Sequence, residues 1–305
     1  MRISLISRSK SIIQVINILC WIRNFRKSKW FNLDQIPRAL SFYFSFKNAQ
    51  LSNLKSAEKC VEQILQKIKP VSSPIEIIRV GPAFDSGYMV ANIGKVDYLI
   101  SGGAGKNIDF ELHYASKGTI VDICDPFVKK LPNYHSNITH YKVLLEDYDV
   151  KKHKRNLWDF KDLINRELVM KTDVKMLKLD IEGSELNLLS KENVNLDKFN
   201  QIIIEIHKLD SILNYYDNIK FLNLFQNLLK FHHVIYFNAN NNGFLLNFGE
   251  LFIPEVFELT LLHKKYFEDS NFSKTKVSTN KSINNVNRLP IPDIFDLNSN
   301  LRIIE

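Results

Sequence analysis

The stretch Tyr98-Leu-Ile-Ser-Gly-Gly-Ala-Gly-Lys-Asn-Ile-Asp-Phe-Glu111 decides the fold. Tyr98–Ser101 reads as a short β-strand, Gly102, Gly103 and Gly105 follow, and a helix is expected over Asn107–Ser116. Glycines let a ligand approach the backbone closely, and a helix N-terminus presents unpaired N–H groups with positive partial charge. The same device holds the pyrophosphate of a dinucleotide. That fingerprint, however, places another glycine three residues after Gly105, where this chain has Ile108. By itself the turn therefore indicates either a nucleotide-like cofactor or a tight strand-to-helix connection.

The next strand narrows the choice. Val121-Asp-Ile-Cys-Asp-Pro126 ends on Asp125, about twenty residues beyond the glycines, where an acid can accept hydrogen bonds from both ribose hydroxyls of an adenosine. Asp122, in mid-strand, is less well placed. Further strands are expected at Thr119–Ile123, Ile138–Leu144, Met176–Asp180, Gln201–Ile206, His233–Asn238 and Val256–His263, with helices at Ser184–Lys191 and Ile212–Phe231. Strand–helix alternation of this kind predicts a doubly wound, Rossmann-like α/β fold with a parallel sheet covered on both faces. Only the turn-rich segment Asn240–Gly249 separates the last two of the seven strands, so they are expected to close the sheet as an antiparallel pair.

Two of these strands end in groups that an apolar core does not select. In Met176-Leu-Lys-Leu-Asp-Ile-Glu-Gly-Ser-Glu185 the alternation places Lys178, Asp180 and Glu182 on one face. In Gln201-Ile-Ile-Ile-Glu-Ile-His207 it places Glu205 and His207 together. If the two strands are neighbours, Asp180, Glu182, Glu205 and His207 converge beside the glycine turn. Burying several ionisable groups together is costly unless they pair or bind a ligand, which makes such clusters candidate sites. Structural roles compete for each. Glu182 and Glu185 can charge the first turn of the following helix, His207 can bond a loop, and Glu205 can pair with Lys178. Carboxylates suit Mg²⁺, but no dense carboxylate spacing points to a metal, and none is expected.

Around this centre the chain divides into an arm at 1–50, a domain at 51–267 and a polar tail at 268–305. In the arm, Ile12, Val15, Ile16, Leu19 and Ile22 recur at helical spacing, and Arg2, Arg8, Lys10, Arg23, Arg26, Lys27 and Lys29 all precede the first acid, Asp34. Such a basic amphipathic helix either lies on an anionic membrane, through residues 1–30, or packs on the domain or on a second copy in a homo-oligomer. Another helix, Ser52–Lys69, turns Ala57, Val61, Ile64, Leu65 and Ile68 to one side before Pro70. With 45% hydrophobic and 24% charged residues over 305 positions, the chain can bury a real core. No apolar run approaches the roughly 20 residues of a membrane span. The net charge of +8 follows a composition rich in Lys, and no nucleic-acid partner is expected. Cys20, Cys60 and Cys124 lie far apart without metal-ligand spacing, which suits reduced thiols and a cytoplasmic location, at most peripheral to the inner membrane face.

The chain resembles the FkbM-type methyltransferases. The resemblance runs from about Arg79 to Lys265. It rests on Arg79-Val-Gly-Pro-Ala-Phe-Asp-Ser-Gly-Tyr88, the Gly-Ala-Gly turn at 103–105, Phe110-Glu111, Asp125-Pro126 and, most specifically, Lys178-Leu-Asp-Ile-Glu-Gly-Ser-Glu185. Glu205-Ile-His207, Asn238-Ala-Asn-Asn241 and Glu258-Leu-Thr260 continue it. The resemblance implies a class I, seven-stranded S-adenosylmethionine-dependent methyltransferase acting on a hydroxyl oxygen of a small-molecule or glycan acceptor, such as a sugar. Gly102, Gly103, Gly105 and Asp125 would contact S-adenosylmethionine, and His207, Asp180 and Glu182 would lie near the reacting methyl, with His207 the first choice as base. Two departures stand out. Ser86 occupies a position where the family usually has glycine, and Ser101-Gly102 ends the first strand where many methyltransferases carry an acid. The cofactor's amino group would then need a backbone carbonyl or another acid such as Glu111. The competing readings are a nicotinamide-dependent oxidoreductase, against which Ile108 counts, and an inactive cofactor-binding scaffold.

Overall fold

The computed structural model describes residues 51–83, 86–145, 157–158, 163–166, 171–192, 194–240, 243, 245–248 and 251–268. The expected N-terminal arm lies outside them, as does the tail beyond Glu268. The first element, α1 (Leu51–Ile68), is the helix predicted from periodicity. Ala57, Val61, Ile64, Leu65 and Ile68 are all buried on its inner face, and Cys60 joins them. Each large aliphatic side chain buried this way contributes about 1.5–3 kcal/mol.

The centre is a sheet of seven strands. In chain order, its first half is β3 (Tyr98–Gly102), followed by α2 (Asp109–Ser116), β4 (Ile120–Cys124) and β5 (Ile138–Tyr141). Its second half comprises β8 (Lys175–Leu179), α3 (Ser184–Leu189), β9 (Gln201–Ile206), α4 (Tyr215–Phe231), β10 (His232–Ala239) and β13 (Phe257–His263). Across the sheet the order is β5, β4, β3, β8, β9, β13, β10. The pairs β5–β4, β4–β3, β3–β8 and β8–β9 are parallel. Strand β13 slots between β9 and β10 antiparallel to both. The doubly wound sheet and its antiparallel closing pair are thus as expected. Chain order reverses between β3 and β8, and in open α/β sheets such a switch point opens a crevice at the carboxyl ends of the strands.

Alternation along the strands builds two cores. Tyr98, Ile100, Leu177, Leu179, Ile202, Ile204 and Ile206 face one way, with α1, α3 and α4. Leu99, Val121, Ile123, Met176 and Ile203 face the other, against Ile108, Phe110, Tyr114 and Ala115 of α2 and its approach. An antiparallel hairpin of β1 (Ile77–Val80) and β2 (Tyr88–Ala91) covers this second face. Gln201 exchanges two hydrogen bonds with the backbone of Ala91, and Thr260 Oγ1 donates to Met89 O. None of the described helices is long and apolar enough to cross a membrane.

Several expected boundaries shift. The hairpin was not anticipated as strands, because four residues on either side of Gly81 and Pro82 are too few to display a period. Asn240–Gly249 is not only turn: β11 (Leu245–Phe248) pairs with β12 (Leu251–Pro254). The strand expected over Ile138–Leu144 stops at Tyr141, since Leu144–Leu145 (β6) leaves the sheet to pair with Leu157–Trp158 (β7). The helix expected over Ile212–Phe231 is divided. A 3₁₀ turn at Leu209–Leu213 precedes α4, and the Asn214 side chain caps α4 by accepting from the Tyr216 N–H at 2.9 Å. A final short helix, α5, spans Lys265–Glu268.

Candidate active site

The glycine turn is stitched to the strands on both sides. The Gly103 N–H donates to Cys124 O and the Asp180 N–H to Gly102 O, each at 3.0 Å. Gly103 has φ 83°, and a Cβ there would lie 1.9 Å from Asp180 O, so the two backbones meet with no room for a side chain. Gly105 has φ 55°, but its Cβ direction is open, with nothing within 4 Å. The turn is thus closed toward β8 and open on the side where a ligand can approach.

Asp125 follows β4 and is 6% exposed. Its Oδ2 accepts the Ala104 N–H at 2.9 Å, and its Oδ1 accepts those of Phe127 and Val128 at 2.7 and 3.0 Å. Burial opposes ionisation, but the N–H groups of Ala104, Val128, Phe127 and Gly105 outweigh it and hold the carboxyl below its ordinary pKa. A carboxylate offers about four acceptor sites, and through these bonds Asp125 braces the glycine turn from β4.

Beneath the turn lies a buried ionic chain. Ser101 Oγ donates to Glu111 Oε1 at 2.6 Å, Glu111 pairs with Lys178 Nζ at 3.3 Å, and Lys178 donates to Gly103 O at 2.6 Å. Burial alone would discharge the ammonium, yet Glu111 and Asp180 raise its pKa. Two expectations change here. Glu111 is 1% exposed and engaged, so it is not free to receive a cofactor amino group, and Lys178 has Glu111 as its direct partner in place of Glu205.

The acidic cluster forms as the neighbouring strands require. Asp180 lies one residue past β8, and its Oδ2 accepts the Tyr88 hydroxyl at 3.0 Å. The chain then turns through Glu182 (φ 56°) and Gly183 (φ 101°), leaving the Glu182 side chain 87% exposed at the rim. Glu185, fully buried in α3, accepts the Gly183 N–H at 2.9 Å through Oε2. Its Oε1 accepts the His207 N–H at 2.7 Å and lies 3.1 Å from His207 Nδ1. The other ring nitrogen, Nε2, faces Asp180 Oδ1 at 3.8 Å, Glu182 Oε2 at 3.7 Å and Glu205 Oε1 at 3.9 Å. Glu205 also accepts the Asn240 side-chain amide. Burial, then Asp180 and Glu258, raise its pKa well above the usual range. His207 is raised too: burial opposes its charge, but Glu185, Asp180 and Glu182 prevail.

The structure thus brings Asp180, Glu182, Glu205 and His207 together, and it brings the glycines to the same switch point. It adds groups the sequence did not single out. Tyr88 reaches Asp180 from a hairpin 92 residues upstream, which no local pattern could reveal. Glu185 holds His207. Glu258 stands opposite Glu205 in register and accepts the Asn238 amide at 3.0 Å. The alternation of Glu258 and Thr260 with Phe257, Leu259 and Leu261 was a signal for that polar face.

A glycine turn and a carboxylate–histidine cluster meet at the switch point of a doubly wound sheet. Residues 159–246 match the family model of the methyltransferase FkbM domain. The match includes Asp180, Glu182, Glu185, Glu205 and His207; the glycine turn precedes it. No curated protein matches the chain.

Proposed function

We propose that the protein transfers the methyl group of S-adenosylmethionine to a hydroxyl oxygen of a sugar or glycan. The observation that carries this reading is the direct union of cradle and cluster, through the Asp180 N–H to Gly102 O bond of 3.0 Å. The open side of Gly105 and the N-terminal approach to α2 fit a cofactor held against backbone. Gly102, Gly103 and Gly105 would hold it, with Asp125 keeping their conformation. When bound, S-adenosylmethionine supplies an electrophilic methyl on a sulfonium. The chain's task is then to orient the acceptor and remove its proton, and alignment alone can supply about 7–11 kcal/mol.

Tyr88 occupies Oδ2 of Asp180, so Oδ1 and His207 Nε2, 3.8 Å apart, are the pair that flanks an entering hydroxyl. The hydroxyl's proton leaves to this pair. Asp180 is partly exposed and His207 is nine-tenths buried, so Asp180 meets the acceptor and His207 orients behind it. Glu182, exposed at the rim, offers a hydrogen-bonding group suited to a polyhydroxylated acceptor. We also propose that residues 1–30 contact an anionic membrane surface or a second copy; vesicle sedimentation and sizing of full-length and truncated protein distinguish the two.

The test is calorimetric titration of purified protein with S-adenosylmethionine and with NAD, followed by transfer of a labelled methyl group to glycan acceptors. Binding of S-adenosylmethionine alone, with label in an alkali-stable ether, is expected. Binding of NAD in its place would make the protein an oxidoreductase, and cofactor binding without transfer would make it a scaffold.

A further inference from the structure

We propose that Asp180, Glu205 and His207 hold a divalent cation of the Mn²⁺ or Mg²⁺ class. One ligand atom from each lies within 4.8 Å of the others. Such a triangle has its centre about 2–3 Å from each corner, close to metal–ligand bonds of about 2.0–2.6 Å. The three come from two adjacent strand ends, so the sheet itself sets their separation.

His207 gives an independent indication. It is 8% exposed, and its Nδ1 is held by Glu185 at 3.1 Å. A carboxylate on one ring nitrogen fixes the tautomer and directs the other nitrogen's lone pair, the arrangement typical of metal-bound histidine. Among the described residues, that nitrogen, Nε2, makes no hydrogen bond. It lies 3.7 Å from Glu182 Oε2, 3.8 Å from Asp180 Oδ1 and 3.9 Å from Glu205 Oε1. Those distances are too long for hydrogen bonds and right for ligands sharing a cation. Glu182 and Glu258 add negative charge beside the same point. Two carboxylates with one imidazole favour Mn²⁺, since Mg²⁺ prefers oxygen alone and softer metals prefer sulfur or more imidazole.

This inference deepens the methyl-transfer reading, on which it rests for its purpose. With Asp180 and His207 engaged as ligands, a cation there would acidify the acceptor hydroxyl in place of direct proton transfer to that pair. The proton would pass to water, the oxygen would form its bond to the methyl carbon, and the carbon–sulfur bond would break to leave the neutral thioether.

The experiment strips full-length protein with a chelator and titrates it with Mn²⁺, following free Mn²⁺ by electron paramagnetic resonance. One Mn²⁺ per chain is expected, weakened about tenfold or more by Glu205→Gln, Asp180→Asn and Glu185→Gln, and unchanged by Asp197→Asn, remote on the surface. Wild-type protein should also show ¹⁴N coupling from one imidazole in the spin-echo spectrum, a readout that needs no variant to fold. No loss of free Mn²⁺, or bound Mn²⁺ without nitrogen coupling, overturns the site. Methyl transfer that survives chelation, together with absent Mn²⁺ binding, removes the cation and keeps the activity. Mn²⁺ binding without methyl transfer does the reverse.

Discussion

The carbonyl oxygen of Asp180 fills the space where Gly103 would carry a side chain: a Cβ there would sit 1.9 Å away. The residue that opens the acidic cluster and the residue at the heart of the glycine turn are therefore packed backbone to backbone. A shift in one must move the other.

Gly103→Ala forces this contact apart and places alanine at φ 83°. Backbone strain alone costs about 1–3 kcal/mol, and the clash adds to it. At about 2–4 °C per kcal/mol for a domain of this size, thermal melting should fall by several degrees, with S-adenosylmethionine binding lost. Gly105→Ala meets open space but places alanine at φ 55°, so melting should fall by the backbone strain alone, less than for Gly103→Ala, while cofactor affinity drops. Equal melting temperatures for the two variants would show that the Gly103–Asp180 contact does not constrain the fold.

Asp125→Asn tests the brace. The carboxylate accepts backbone N–H bonds, each worth about 1.5–3 kcal/mol when the acceptor is charged, and its pKa is depressed on folding. A carboxyl depressed on folding contributes stability above its unfolded pKa of about 3.9, which is lost as pH falls through the folded value. The stability difference between wild type and Asp125→Asn, from urea denaturation, should be full at pH 6 and shrink below pH 4. A difference that stays constant with pH would assign the loss to shape.

His207→Asn should lower methyl transfer by about 10²–10⁴-fold while leaving S-adenosylmethionine affinity within about threefold, a change under roughly 0.7 kcal/mol. Single-turnover rates and calorimetry measure the two separately. Loss of cofactor affinity would instead place His207 in the cradle.

His232 carries a pH dependence unrelated to the site. It is completely buried, its Nε2 lies 2.8 Å from Phe199 O, and burial pushes its pKa down to about 4. The unfolded chain takes up this proton near pH 6.5 and the folded chain does not. Its stability is therefore full above pH 6.5 and declines as pH falls toward 4, by about 3 kcal/mol at the limit. In His232→Asn that part of the slope between pH 6.5 and 4 should vanish in urea denaturation. An unchanged slope would show that the ring is protonated in the folded state.

The sheet was legible because its strands are apolar and bounded by polar turns. Gln201–Ile206 is recovered as read, and Tyr98, Ile100, Leu177 and Leu179 alternate with Leu99 and Met176 as a two-sided sheet demands. The convergence of Asp180 with His207 followed from one assumption, that two strands are neighbours. Illegible were the contacts that period cannot encode. The Tyr88 hydroxyl depends on how a hairpin folds over the sheet, and the fate of Asp125 depends on backbone N–H groups, which every sequence has. Lys178 was read as a partner of Glu205 and Glu111 as an acid for a ligand, because the Glu111–Lys178 pair exists only across two elements.

Strand β13 is the last of the sheet in sequence and yet lies inside it, between β9 and β10. Chains emerge from the ribosome N-terminus first. A nascent chain can therefore assemble the glycine turn and align Asp180 with His207 while the edge of β9 is still an unpaired template. Glu258, and the wall it builds beside Glu205, arrive with the final strand. A translation product that stops short of Phe257 would carry the glycine turn and the acidic cluster without Glu258, with the edge of β9 open to water. Insertion of β13 is thus the step that seals the sheet and sets Glu258 opposite Glu205.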